Sequence, residues 1–285
     1  MAIKSILVPV TGDGQDRRCL DAAAVVAGAD GAHITLLFGE INPAAMPVIY
    51  GGDGVGFYLT EEFLQALTER NDLHRQRAQE VYAAWAKAAG IAADMVGEGI
   101  PKATTARFVS VPAEATNAVR DFAVVNDLVV TMLPDPTGLE RADQFEAALF
   151  TARKPVLAVP REGPLPLPGT PAAIAWNGSP EASRAATVAL PLLRRAGSVI
   201  LLHTGSTEIA PVIEFLGRHG VTATAQALQP GSGDIGAALL AEAGRLGASL
   251  LVLGAYGHSR ARELIFGGVT RHALQHAGIP LLLTH

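Results

Sequence analysis

The sequence predicts an α/β chain of two tandem doubly wound domains, each built on a five-stranded parallel sheet. Short apolar runs bounded by Gly or Pro alternate with longer stretches of helical periodicity, as buried parallel strands do with covering helices. The alternation occurs twice, on either side of Arg161–Pro171 (REGPLPLPGTP), a Pro- and Gly-rich segment with the character of an extended linker. Hydrophobic residues make up 49% of the 285-residue chain and aromatic residues only 5%. The interior must therefore be made of Ala, Val, Leu and Ile. The predicted division is a first domain over residues 1–160, a linker over 161–171 and a second domain over 172–285.

In the first half, Ile3–Val10 reads as a strand ending in the polar turn Thr11-Gly12-Asp13-Gly14. Asp16 is placed to cap a helix that runs to about Ala29. His33–Phe38 reads as the second strand. Glu40–Leu59 breaks the pattern with Pro43, Pro47 and the GGDGVG run at 51–56, and reads as a mobile surface loop. A long helix is predicted from Thr60 to about Ala89, with Phe63, Leu67, Leu73, Val81 and Trp85 as its apolar marks. Then follow strand Ala103–Val109, helix Ala113–Val125, strand Leu128–Leu133, helix Gln144–Ala152 and strand Val156–Val159.

In the second half, Ala173–Trp176 reads as a strand that ends in Asn177-Gly178-Ser179-Pro180, with Ser179 or Pro180 opening a helix to about Arg195. Strands Val199–His203 and Val221–Leu228 alternate with helices Glu208–Arg218 and Asp234–Leu246. ILVPVTGDGQDRRCLDAA answers AIAWNGSPEASRAA, NDLVVTMLPDP answers ASLLVLGAYGH, and KPVLAVP answers IPLLLTH.

Net charge is −5, from 22 Lys+Arg against 27 Asp+Glu, with no basic block, so nucleic acid is not an expected partner. The lone cysteine, Cys19, excludes an internal disulfide and reads as a buried, inert thiol. No charge-free apolar run approaches the roughly 18 residues of a membrane span. The expected setting is the cytoplasm.

The stretch Ser249–Leu283 carries the most chemistry. The apolar strand Leu250–Leu253 runs into Gly254-Ala-Tyr-Gly257. After nine intervening residues Gly267-Gly268-Val269-Thr270 begins a helix, and Leu281–Leu283 is the last strand. Glycines at a strand end admit close ligand approach and positive φ. Unpaired N–H groups at the start of a helix attract anions. Two glycine clusters at the ends of one loop would thus cradle phosphate oxygens, with His258, Arg260 and the Thr270 hydroxyl as further donors. At these residues the chain resembles the universal stress protein family, whose nucleotide-binding members carry G-x2-G-x9-G-[S/T]. Gly254, Gly257 and Gly267 match in spacing, and Gly268 stands in the Ser/Thr place, which removes one hydroxyl. The resemblance covers both halves outside residues 40–89 and implies the adenine nucleotide alpha hydrolase-like fold. It also implies ATP as ligand, with or without Mg²⁺, a homodimer and an unidentified protein partner. By the same carry-over Ala175 lies by the adenine, Asn177 stands where the family has Asp near the adenosine, Thr204 lines the base pocket, and Val269 follows the phosphate glycines.

The first half has Pro134-Asp135-Pro136 and Ala142-Asp143 in the answering places. A carboxylate at a helix start repels phosphate, so this half reads as a partner domain without nucleotide. Gly231-Ser-Gly233-Asp-Ile-Gly236 has the spacing of a dinucleotide fingerprint but lacks the acid about 20 residues on, and reads as a tight turn into a helix. His272 and His276 share a helix face without a third metal ligand. No P-loop, H-E-x-x-H or nucleophile–base pair is present. The expected function is a nucleotide-responsive stress adaptor rather than an enzyme. Two alternatives stay open: an interaction protein whose glycine turn is only structural, and a slow ATP hydrolase.

Overall fold

The structure is a computed structural model and describes residues 2–28, 31–40, 60–93, 99, 102–134, 139–205, 208–229, 234–255 and 268–285. The Glu40–Leu59 loop expected from sequence, apart from Glu40, lies outside them. The first half runs β1 (Ser5–Val10), α1 (Asp16–Ala27), β2 (His33–Gly39), α2 (Glu61–Ala89), β3 (Ala92–Ala93), β4 (Thr105–Val111), α3 (Ala115–Ala123), β5 (Leu128–Met132), α4 (Leu139–Glu146) and β6 (Val156–Val159). The second runs β7 (Pro171–Trp176), α5 (Pro180–Leu193), β8 (Ser198–His203), α6 (Ala210–Arg218), β9 (Ala223–Ala227), α7 (Ile235–Arg245), β10 (Leu250–Gly254), α8 (Gly268–His276) and β11 (Leu281–Thr284). The alternating strand–helix plan is the one expected. Two details differ: β3 adds a two-residue strand, and the helix expected at Gln144–Ala152 is α4 followed by a π-helical turn over Ala147–Thr151.

The helix ends follow local chemistry. Thr60 caps α2 by accepting from the Phe63 N–H at 3.2 Å, and Glu61 and Glu62 sit at the positive end of its dipole. Gly90, at φ 63°, stops the helix in the left-handed conformation. Ser179 caps α5 through the Ala182 N–H at 3.2 Å, with Pro180 at the first helical position.

Among the described residues eleven strands form one sheet in the order β3-β4-β2-β1-β5-β6-β11-β10-β7-β8-β9. Every adjacent pair is parallel except β6–β11, which is antiparallel with Leu281 opposite Ala158, Leu282 opposite Leu157 and Leu283 opposite Val156. The last strand of each half thus covers the edge of the other, as expected for exposed apolar edges. One core fills each face, and both cross the seam. Ile6, Val8, Leu20, Trp85, Leu157, Ile174, Leu190 and Leu216 lie in one. Leu7, Val119, Phe145, Leu149, Leu251, Leu274 and Leu281 lie in the other. Burying each such side chain contributes about 1.5–3 kcal/mol against the entropy of ordering it. Polar ties add direction. Arg195 of the second half donates to the Val25 and Val26 carbonyls at the end of α1, at 2.9 and 3.0 Å, groups that the helix itself leaves unpaired.

Candidate functional site

In a doubly wound sheet, ligands lodge beyond the carboxyl ends of the strands where the strand order reverses. The second half reverses between β7 and β10: from β7 the chain steps outward to β8 and β9, then returns to β10 and β11 on the other side. Val252 lies opposite Ile174, and Trp176 opposite His203. Continued by two residues, this register sets Gly254 level with Trp176, so Asn177, Thr204 and Gly254 stand together at the same edge. Gly268 opens α8 at that edge, because α8 leaves from the β10 end and runs back antiparallel to the strand.

Each residue has a local reason for its place. The Asn177 side chain accepts from the Ser179 N–H at 3.0 Å, so it shapes the turn into α5 while remaining exposed. Thr204 is part-exposed, and its carbonyl meets His203 Nδ1 at 3.1 Å. Ala175 and Val269 pack on the core beneath α7 and α8. Thr270 is buried in the first turn of α8. Gly254 is required for close packing, not for a positive φ: a Cβ there would come within 2.5 Å of the Glu181 backbone at the start of α5. Around Gly268 no atom of the described residues lies within 4 Å of an added Cβ. Gly257, His258, Arg260 and Gly267 lie outside the described residues.

One residue at this edge was missed from sequence. Trp176 sits part-buried at the end of β7, and its indole N–H donates to the Glu208 carbonyl at 3.3 Å, bridging toward α6. An aromatic at a strand's last position was the available signal.

The corresponding edge of the first half is closed. Thr11 and Gly12, the counterparts of Asn177 and Gly178, are both buried, whereas Asn177 and Gly178 are exposed. The α2 helix crosses here. His74 Nδ1–H donates to the Thr11 carbonyl at 2.9 Å, and a Cβ on Gly12 (φ 71°) would collide with the His74 backbone carbonyl. Arg75 donates to the Glu40 carboxylate at 2.9 Å beyond the end of β2, where Ser110 Oγ donates to the same oxygen at 2.6 Å. These two donors, the hydroxyl first, hold the Glu40 carboxyl below its ordinary range despite partial burial. Asp16 does not cap α1. Its buried carboxylate accepts from the Thr11 and Gly12 N–H groups at 3.1 and 2.8 Å, and Gln15 holds the cap position. Backbone donors that an anion would need are therefore already taken by the chain's own carboxylate.

Of the motif Gly231-Ser-Gly233-Asp-Ile-Gly236, residues 231–233 lie outside the described residues. Asp234 caps α7 through the Gly236 N–H at 2.8 Å, and its other oxygen meets His272 Nδ1 at 2.8 Å. His272 and His276 stack at 4.3 Å between ring centroids. No cluster able to hold a metal occurs among the described residues, and Cys19 is fully buried. No described helix is long and apolar enough to cross a membrane.

The architecture defines a class: a duplicated doubly wound α/β protein whose second half brings Asn177, Thr204 and Gly254 to the carboxyl ends of its strands at the switch point. Residues 172–285 match the Universal stress protein family. Over its whole length the chain has the fold of a universal stress protein from Archaeoglobus fulgidus DSM 4304, with 14% identity, 98% of this chain and 96% of that one covered, and a TM-score of 0.68. A putative universal stress protein from Pseudomonas aeruginosa UCBPP-PA14 is similar at 18% identity, 99% and 93% coverage and a TM-score of 0.53. The cytoplasmic domain of a prokaryotic cation chloride cotransporter is similar in fold at 12% identity, 99% and 95% coverage and a TM-score of 0.51. At these identities the likeness is one of fold, which does not fix function. No curated protein sequence matches this one.

Proposed function

We propose that the second half binds one adenine nucleotide, ATP with or without Mg²⁺, and that the chain works as a nucleotide-responsive adaptor in the cytoplasm, as a homodimer with a further protein partner. The observation that carries this is the contrast between two equivalent edges: Asn177 and Gly178 are exposed at the switch point, while Thr11 and Gly12 lie buried under α2. The glycine spacing Gly254, Gly257, Gly267 supports phosphate as the anion, and the start of α8 supplies N–H donors. Residues 1–160 then form a partner domain without nucleotide, joined through 161–171 to 172–285.

Fast phosphoryl transfer needs a metal held by placed oxygens and a group that orients the nucleophile. Between residues 254 and 270 the one carboxylate is Glu263, and Gly268 removes a hydroxyl. Turnover is therefore expected well below the roughly 1–100 s⁻¹ usual for kinases. The test is Gly257→Val, which puts a β-branched side chain where backbone is to meet phosphate. Calorimetry should show ATP binding abolished in a folded variant. Unchanged affinity would remove the support for a phosphate loop and favour a purely structural turn.

A further inference from the structure

Pairing of β6 with β11 uses up the strand edge that each half would otherwise expose, so among the described residues the sheet ends at β3 on one side and at β9 on the other. β3 offers two residues, Ala92–Ala93. β9 offers five, and they are solvated: Thr224, Ala225, Gln226 and Ala227 are exposed and Ala223 is part-exposed. Natural sheets guard such an edge with a charge, a proline or a bulge. Val221–Gln229 (VTATAQALQ) has no charge and no proline. Nor is there a bulge, since the register on β8 runs unbroken from Ala223 opposite Val199 to Ala227 opposite His203.

The ladder fixes which main-chain groups face outward. The Leu228 N–H donates to the His203 carbonyl at 2.7 Å. In a parallel pair alternate residues turn both of their main-chain groups to the neighbouring strand. Thr224 and Gln226 therefore turn theirs to β8, and Ala223, Ala225 and Ala227 turn theirs away from the sheet. Side chains alternate between the faces in the same way. Ala223 packs on the core shared with Val212 and Leu216 of α6, which puts Thr224 and Gln226 on the opposite face. The strand reads Ala-Thr-Ala-Gln-Ala, nearly the same in either direction. Laid antiparallel on a copy of itself about a two-fold axis at Ala225, it sets Ala225 opposite Ala225, Ala223 opposite Ala227 and Thr224 opposite Gln226. The outward groups then meet as hydrogen-bonded pairs whose side chains are methyl groups, so nothing bulky holds the strands apart. The Thr hydroxyl and Gln amide fall in the closer, non-hydrogen-bonded pair, where they can bond each other.

We propose that β9 is the homodimer interface, pairing antiparallel with β9 of a second copy so that one sheet runs through both chains. This interface rests on the homodimer proposed above and is independent of the nucleotide reading. Two features select a second copy over a strand of another protein. The edge is its own complement, as a two-fold interface demands, and it carries no charge by which a different chain would be chosen.

Sedimentation equilibrium of the full chain tests this, and a reversible monomer–dimer equilibrium is expected. Ala225→Pro removes the N–H that each copy donates across the axis and leaves the bonds to β8 intact, a position where an edge strand tolerates proline. It should weaken dimerisation at least about tenfold, because two hydrogen bonds are lost at once, with Tm close to that of wild type. Ala225→Lys sets like charges opposite each other and should weaken it likewise. Ala225→Cys reads the pairing without disrupting it. A hydrogen-bonded pair holds its Cα atoms about 5.5 Å apart, within disulfide reach, so mild oxidation should link the two copies, whereas Ser183→Cys, exposed on α5, should not link them. A dimer unmoved by Ala225→Pro and Ala225→Lys, or one that Ala225→Cys does not link, would overturn this interface and leave the homodimer standing. A monomer at every concentration would overturn both and assign the edge to a different chain.

Discussion

At the residue scale, Gly254 and Gly268 have opposite constraints although the nucleotide motif names both. Gly254 is held by packing: Gly254→Ala forces a Cβ against the Glu181 backbone, which cannot give as a flexible side chain would. Overpacking of this kind costs about 1–3 kcal/mol, so the midpoint of thermal or urea unfolding should fall. A midpoint unchanged from wild type would show that α5 does not pack as described. A Cβ on Gly268 meets none of the described residues, so Gly268→Ser should leave stability within about 0.5 kcal/mol. If phosphate lies at the start of α8, the added hydroxyl should strengthen ATP binding by about 0.5–1.5 kcal/mol, up to roughly tenfold. Stable protein with weaker binding would put the phosphate elsewhere.

At the scale of elements, α2 covers the strand ends of the first half, and its anchor is polar. The Ser110 hydroxyl and the Arg75 guanidinium both favour ionised Glu40, so its folded pKa lies below its unfolded one. The stability this contributes is present above the ordinary carboxylate range and is lost as pH falls through the depressed folded value. Glu40→Gln should therefore cost about 1 kcal/mol near pH 7, and the difference from wild type in urea unfolding should shrink between about pH 5 and pH 3. A gap independent of pH would mean that the carboxylate charge is not what anchors α2.

The existence and limits of α2 were legible in sequence, because Thr60, Glu61-Glu62 and Gly90 mark both ends and Trp85 marks the buried side. Its path across the ends of β1 and β2 was not. That path depends on the contacts of His74 and Arg75 with residues more than thirty positions away, and neither side chain advertises its partner. Asp16 misled for a related reason. A carboxylate beside a helix start satisfies the expectation of a cap, yet here it reaches back to the strand end. At the switch point of the second half, the sequence reading named Asn177, Thr204, Gly254 and Gly268, and the register brings these positions to one edge of the sheet. Trp176 escaped because an aromatic at a strand end reads equally well as core.

At the scale of the whole molecule, the β6–β11 pair joins two sheets that would each expose an apolar edge. Their residues are buried, apart from none to a few per cent, and both cores run beneath them. Amides of Val156–Val159 and Leu281–Thr284 should be among the slowest to exchange with deuterium, opening only with global unfolding. Exchange as fast as in loops would contradict the shared sheet.

The account's central claim is that two halves of one architecture differ in function because one switch-point edge is open and the other is covered by its own helix. Calorimetric titration of the full chain with ATP tests it most directly. One nucleotide per chain is predicted. A stoichiometry near two would mean that α2 does not close the first edge, and the absence of binding would mean that the open second edge is not a nucleotide site.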